Sequence, residues 1–121
     1  MVNRPHKKLD VWQESVSLAT HIFKITENFP KTEIYGLTSQ MRRAVISVPS
    51  NIAEGAARSS SKEFIQYLKI AGGSLSELDT QIEIASNLKF ITNDQMREIN
   101  YSISCKLAGL IKHVRRKLNE K

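Results

Sequence analysis

The sequence SQMRRAVISVPSNIAEGAARSS, residues 39–60, decides the fold of this chain. Its apolar residues recur at steps of three and four, which places them on one stripe of a helix. They are Met41, Val45, Val48, Ile52 and Ala56. Polar residues recur at similar steps on roughly the opposite face, because two residues turn a helix by about 200°. The stretch therefore predicts an amphipathic helix with one buried face and one ordered polar face.

The polar face allows two interpretations. We call its residues Arg43, Ser47, Asn51 and Glu54 the polar row. In the structural interpretation they bond within the chain or across a subunit contact, since Arg pairs with Glu and an Asn in a helical seam often sets register. In the functional one, Arg43 with Arg42 and Arg58 faces a phosphate backbone. Glu54 would repel phosphate there, which favours the structural interpretation.

Pro49 interrupts this helix near its middle. A proline removes one backbone donor and crowds the carbonyl four residues earlier, here that of Val45. Two short helices meeting at Val48 are one outcome. The apolar stripe keeps its phase across the proline, so we predict one helix kinked at Pro49. It begins between Ile34 and Thr38 and runs to about residue 57.

A first helix is predicted before it and two further helices after it. The first begins at Asp10, which forms a capping box with Gln13, and Pro30 ends it. The third follows a capping box of Ser60 and Glu63. Its apolar residues form a heptad seam: Phe64, Leu68, Ala71, Leu75, Leu78, Ile82 and Ala85.

The fourth helix follows a capping box of Thr92 and Gln95. Its predicted apolar stripe is Met96, Ile99, Ile103, Leu107, Leu110, Val114 and Leu118. Four long amphipathic helices with short connections predict an all-α, up-down-up-down antiparallel four-helix bundle. We expect a single domain over residues 1–121, with residues 1–9 as a basic N-terminal arm. We also hypothesise that Gly72, Gly73 and Ser74 pack on the small residues 53, 55 and 57.

Composition narrows the class of protein. Eighteen Lys and Arg against twelve Asp and Glu give a net charge of +6, which makes an anionic partner more plausible without requiring one. The single cysteine, Cys105, has no partner within the chain, so we expect a reducing, cytoplasmic location. No apolar run approaches the length that spans a membrane. We therefore expect no membrane partner.

The sequence offers little for catalysis or for a metal. His6, His21 and His113 are scattered over the arm, the first helix and the fourth, and no H-x-x-x-H or E-x-x-H pair exists. Gly72 and Gly73 lie inside a helix rather than after a strand, so they do not form a phosphate-binding loop. We expect no enzyme activity, no metal and no cofactor.

Basic residues at the two chain ends are the candidates for nucleic-acid contacts. They are Lys7 and Lys8 of the arm and Lys112, Arg115, Arg116 and Lys117 of the last helix, with Arg42 and Arg58 as contributors. Exposed cations of this kind suit sequence-independent phosphate contacts. The alternative is a solvated helix end, where cations favour the C-terminal dipole.

A second apolar row on the first helix, including Trp12 and Phe23, makes its apolar face wider than one neighbouring helix needs. Either the arm and the connections cover this row, or it meets another copy of the chain. A ring of copies would bring several basic ends onto one surface. Trp12 and Phe23 are therefore the predicted oligomer contacts.

Three stretches resemble a known family: LDVWQESVSLA at residues 9–19, FPKTEIYGLTSQMRRAVISVPSNIAEGAARSSSKEFIQYL at residues 29–68, and GGSLSELDTQ at residues 72–81. The chain is similar to the four-helix-bundle proteins encoded in intervening sequences of bacterial large-subunit ribosomal RNA genes. It is more distantly similar to the accessory variability proteins of diversity-generating retroelements. The resemblance implies a bundle assembled as a homopentamer without established catalysis, and the retroelement relatives imply nucleic-acid binding. The family usually has a basic residue where this chain has Gly72.

These observations predict a homo-oligomeric helical bundle that binds RNA or DNA backbone without catalysis. The alternative is an adaptor that docks a partner protein through the first two helices and binds no nucleic acid.

Overall fold

Four α-helices account for most of the computed structural model, which describes residues 5–92 and 95–119. They are α1 (Asp10–Thr26), α2 (Leu37–Ala56), α3 (Ser61–Asn87) and α4 (Gln95–Asn119). Short 3₁₀ helices at Pro5–Lys8 and Lys31–Glu33 precede α1 and α2. No strand occurs in the described part of the chain. The prediction of an all-α bundle is therefore confirmed.

Each helix packs on its neighbours in the chain, and α1 closes the ring by packing on α4. Contacts between α3 and α4 join Glu83 to Arg97 and Gly72 to Leu107, so residue numbers fall on one helix as they rise on the other. Between α2 and α3, Ser47 bonds Ser74 and Gly55 lies against Tyr67, which is the same opposite order. These pairs fit antiparallel neighbours, while the complete up-down-up-down order stays a prediction.

The core holds the apolar residues that the helical periodicity selects. Met41, Val45, Val48 and Ile52 of α2 are fully buried. The predicted seam of α3 is also buried, except that its first residue, Phe64, is half-buried. Helix α2 continues unbroken through Pro49, as one helix rather than two. The kink itself stays a prediction.

Gly55 sets the distance between α2 and α3. A Cβ added there would lie 2.7 Å from Cβ of Tyr67 and 3.0 Å from Cδ1 of Phe64. The hypothesis that small residues of α2 pack on Gly72 and Gly73 is wrong. After a short connector between antiparallel helices, residue 55 lies level with residues 64–67 instead. Gly72 faces Leu107 of α4, and a Cβ on Gly73 would meet nothing within 4 Å.

Three helix starts were predicted from capping boxes, with different outcomes. Ser60 caps α3 and accepts a hydrogen bond from the backbone N–H of Glu63 at 3.3 Å, as predicted. The cap at Asp10 is wrong, because Leu9 occupies the N-cap position without a side-chain bond. Gln13 instead donates to the carbonyl of Lys7 at 2.8 Å, which ties the arm to α1. The start of α4 involves residues 93–94, which lie outside the described residues.

The stripe of α4 also differs from the prediction at one position. Ile99 is 39% exposed, whereas Asn100 is only 2% exposed. Both positions lie one turn after Met96, and hydropathy alone favours the isoleucine. The amide of Asn100 faces α3 because its Nδ2 donates to the carbonyl of Leu75 at 3.2 Å.

Candidate nucleic-acid interface

The C-terminus of α4, the start of α3 and the N-terminal 3₁₀ turn lie at the same end of the bundle. Leu107 lies level with Gly72, and α4 continues twelve residues beyond it to Asn119. At 1.5 Å per residue this part of α4 is about 18 Å long, so its end lies level with the start of α3 at Ser61. Lys106 bonds Glu14 near the start of α1, so α1 begins at this end as well. We call this the basic end.

The charges of the described residues divide unevenly along the bundle. The half that contains the basic end, residues 5–21, 44–75 and 105–119, carries ten Lys or Arg and four Asp or Glu. The opposite half, residues 22–43, 76–92 and 95–104, carries six of each. The excess of cations in one half creates a positive potential there. This potential attracts polyanions, and salt screens it.

Six of the predicted phosphate-binding residues lie at this end with exposed side chains: Lys7, Lys8, Lys112, Arg115, Arg116 and Lys117. The 3₁₀ turn that carries Lys7 and Lys8 packs on α1 and α2 but not on α4. The two groups of cations therefore share an end without touching. Sequence reasoning missed Lys62, which is exposed at the start of α3 and lies level with the last turns of α4. Only the pairing of α3 with α4 identifies it.

Arg58 also belongs to the basic end, but its charge is partly compensated. Its Nη2 bonds Oε1 of Glu54 at 2.6 Å and Oη of Tyr67 at 2.9 Å. Its guanidinium carbon lies 5.1 Å from the centre of the Tyr67 ring. Charge interaction with Tyr67, and then with Glu54, raises the pKa of Arg58. These contacts hold the guanidinium on α3 and leave its outer edge at the surface.

Arg42 lies at the opposite end and fastens α2 to α1. Its Nε donates to Oγ1 of Thr26 at 2.9 Å, and its Nη2 donates to the carbonyl of Phe23 at 3.2 Å. The guanidinium also lies 4.8 Å from the centre of the Phe23 ring. The structure thus does not bring Arg42 together with the other predicted phosphate-binding residues, and we leave it out of the interface proposed below.

The polar row bonds mainly within the chain. Nδ2 of Asn51 donates to the carbonyl of Ser47 at 2.8 Å and to its Oγ at 2.9 Å. Oγ of Ser74 on α3 donates to Oγ of Ser47 at 2.8 Å. Glu54 pairs with Arg58, and Arg43 is exposed. These bonds fit the structural interpretation, in which the row bonds within the chain, and Ser47 is the residue of the row that bonds α3.

The second apolar row of α1 is covered at one end and open at the other. The ring of Trp12 is half-buried and meets the ring of His6 edge-on, with centroids 4.9 Å apart. Phe23 lines an open groove of about 390 Å³ between α1 and α2, together with Val16, Ile46 and Pro49. His6 of the arm thus covers part of Trp12, and Phe23 is half-buried at the groove beside Arg42. The oligomer contacts of both residues stay a prediction.

Within residues 5–92 and 95–119, no group of three His, Cys, Asp or Glu side chains is placed to hold a metal ion. In the same part of the chain, none of the helices has the length and apolarity that crossing a membrane requires.

The fold defines this chain as an all-α bundle protein, and its cations are concentrated at the basic end of the bundle. Residues 7–113 match the family model of the 23S rRNA-intervening sequence proteins, and the chain belongs to that family. It is also similar to a crystal structure of a protein of unknown function from the S23 ribosomal protein family of Bacteroides thetaiotaomicron, with a TM-score of 0.74 and 25% identity. That similarity covers 84% of this chain and 95% of the other. No curated protein matches the chain. The similarity to retroelement accessory proteins stays a prediction.

Proposed function

We propose that this protein binds the backbone of RNA or DNA through its basic end and performs no catalysis. The observation that carries the proposal is the division of charge, ten cations against four anions in one half and six against six in the other. Exposed Lys and Arg side chains near a helix end provide phosphate contacts that do not depend on base sequence.

A salt series with matched variants tests this proposal. The first variant changes Lys112, Arg115, Arg116 and Lys117 to Gln. The control changes four exposed cations of the opposite half to Gln: Lys24, Lys31, Arg43 and Lys89. Both variants lose the same net charge, so only position differs. The measurement is fluorescence anisotropy of a labelled single-stranded RNA and a labelled duplex DNA, each at several salt concentrations.

We expect wild-type affinity to fall as salt rises, because cation contacts release counterions from the nucleic acid. If all four residues contact phosphate, the first variant reduces the slope of log K against log salt by about 3 on a single strand. The control keeps the wild-type slope. Equal loss in both variants would mean that net charge alone attracts the polymer. Absence of binding by the wild type at low salt would refute the function.

We further propose that the protein acts as a homo-oligomer, with five copies as the resemblance implies. The open groove between α1 and α2 supports this, since its lining residues Val16 and Ile46 are exposed. Several copies would add their basic ends and raise a weak affinity. Light scattering should give a mass several times 13.7 kDa, and a monomer at micromolar concentration would contradict the proposal.

The same groove favours a second candidate, an adaptor that holds a partner protein on α1 and α2. Purification from the native host separates the two candidates. Co-purified nucleic acid supports the first function, and one stoichiometric protein without nucleic acid supports the second.

A further inference from the structure

A polar cleft lies between α3 and α4, in the half of the bundle opposite the basic end. Its volume is about 410 Å³, within the range of small-molecule sites. Six polar side chains line it, three from each helix: Ser76, Asp79 and Thr80 on α3, and Asn100, Tyr101 and Ser104 on α4. Polar residues are usual on the solvent-facing side of a helix, so the feature that distinguishes this cleft is the buried polar residue among them, Asn100.

Asn100 forms the buried part of this cleft. The residue is 2% exposed, at a position of α4 where the stripe calls for an apolar side chain. Its Nδ2 donates to the carbonyl of Leu75 at 3.2 Å, and its Oδ1 accepts from Oγ of Ser104 at 3.5 Å. An amide buried in this way costs stability unless it is bonded, and it fixes one acceptor oxygen at the bottom of the cleft.

Asp79 supplies the charge. Among the residues that line the cleft Asp79 is the acid, and like most acids in the described part of the chain it forms no ion pair. The ring of Tyr101, 73% exposed, stands at the rim on the facing helix. A carboxylate and an exposed aromatic ring that line one cleft suit a cation, because both groups attract positive charge.

We propose that this cleft binds a guanidinium group, carried either by a small molecule or by an arginine side chain of another protein. Guanidinium has five donors in one plane, so it can bond a carboxylate in bidentate fashion while its face lies on an aromatic ring. Asp79 accepts one edge, Tyr101 covers the face, and the remaining donors meet the hydroxyl groups and the amide oxygen of Asn100. An anion would be repelled by Asp79. The proposal goes beyond the nucleic-acid function and does not depend on it.

The test is a titration of the full-length, ¹⁵N-labelled protein followed by two-dimensional NMR. The probe is N-acetyl-arginine amide, and its neutral isostere N-acetyl-citrulline amide is the matched control ligand. We expect the arginine compound to shift the backbone signals of Ser76, Asn100 and Ser104 with a dissociation constant on the order of 1 mM. The citrulline compound should bind at least tenfold more weakly. Equal binding of both compounds, or no shift at these residues, would overturn the proposal.

Variants locate the charge that is responsible. Asp79→Asn should weaken the arginine compound at least tenfold, and Tyr101→Ser severalfold. Glu98→Gln removes an exposed acid of α4 that does not line the cleft, and it should leave the affinity unchanged. If Glu98→Gln weakens binding as much as Asp79→Asn does, the cleft is not the site.

Two further ligands distinguish the sources of the guanidinium. Methylguanidinium represents the small molecule, and the blocked tripeptide Ala-Arg-Ala represents a side chain on a protein. Similar affinity for both favours a small-molecule ligand. At least tenfold tighter binding of the tripeptide favours a protein partner. Both titrations contain no nucleic acid, so this result and that of the salt series stand separately.

Discussion

Gly55 offers the sharpest test of how α2 and α3 pack. In Gly55→Ala the new Cβ would lie 2.7 Å from Cβ of Tyr67, an atom fixed to the α3 backbone rather than the end of a flexible chain. The helices must then separate. Forcing a methyl group into a packed contact costs about 1–3 kcal/mol. The gain in helix propensity from Gly to Ala returns about 1 kcal/mol. We therefore expect a net loss of about 0–2 kcal/mol in the free energy of unfolding, with about 1 kcal/mol as the central value.

Gly73→Ala is the matched control in the neighbouring helix. Its Cβ would meet nothing within 4 Å, and the position is exposed inside α3. The same chemical change should therefore stabilise the protein by about 0.5–1 kcal/mol. The two variants should differ by roughly 2 kcal/mol, although each adds one methyl group to a helix.

Urea unfolding followed by circular dichroism measures the difference, with both variants at one protein concentration so that self-association cancels. An unchanged m value is required, since only then does the midpoint report stability. Equal stabilisation by both substitutions would show that α2 and α3 do not approach as closely as Gly55 indicates. Equal destabilisation would show that the surface around Gly73 is itself packed, for example against another copy.

Three further predictions concern individual contacts. Arg42→Met removes two charge-assisted hydrogen bonds to α1 and should lower the free energy of unfolding, measured in urea, by about 2 kcal/mol. The control Arg43→Met, at the exposed neighbour, should change it by less than about 0.5 kcal/mol. Equal effects of the two substitutions would show that Arg42 does not fasten α2 to α1. Ser47→Ala should lower the free energy of unfolding by about 1 kcal/mol in the same assay, because it removes the hydroxyl that links α2 to α3. An unchanged urea midpoint would mean that the polar row contributes no stability. The hydrogen bond with Cys105 raises the pKa of Tyr101. Cys105→Ala should therefore lower this pKa, which an ultraviolet titration of tyrosinate measures. An unchanged titration curve would exclude the bond.

The sequence predicted the buried surface of the helices better than the contacts between them. Helical periodicity identified Met41, Val45, Val48 and Ile52, because burial of an apolar stripe is the main term that stabilises a bundle. It failed at Ile99 and Asn100, where both positions fit the stripe and only the carbonyl of Leu75 on another helix decides between them. The residues of α3 that contact Gly55 were also not predictable from the sequence. Which residues of two adjacent helices lie opposite one another depends on the conformation of the connector between the helices.

The candidate interface divides in the same way. Lys112, Arg115, Arg116 and Lys117 were recognisable as a local run of cations, and the structure leaves them exposed. The role of Arg42 was not recognisable, because neighbouring arginines in the sequence look alike. Arg42 points towards α1 and Arg43 is exposed, a difference that follows from the rotation of about 100° between successive residues of a helix.

The position of the cations has a physical reason that bears on the proposed function. Like charges repel one another, which lowers the stability of the fold. This loss of stability is smallest where few core residues pack nearby. The last turns of α4 run past the start of α1 and bury only Val114 in the core, so repulsion there acts on few core residues. The C-terminal end of the helix dipole also favours cations by about 0.3–1 kcal/mol each. A bundle can therefore concentrate positive charge at this end without loss of its core. Phosphate contacts need exposed charge rather than a shaped pocket, and the end of α4 meets that requirement.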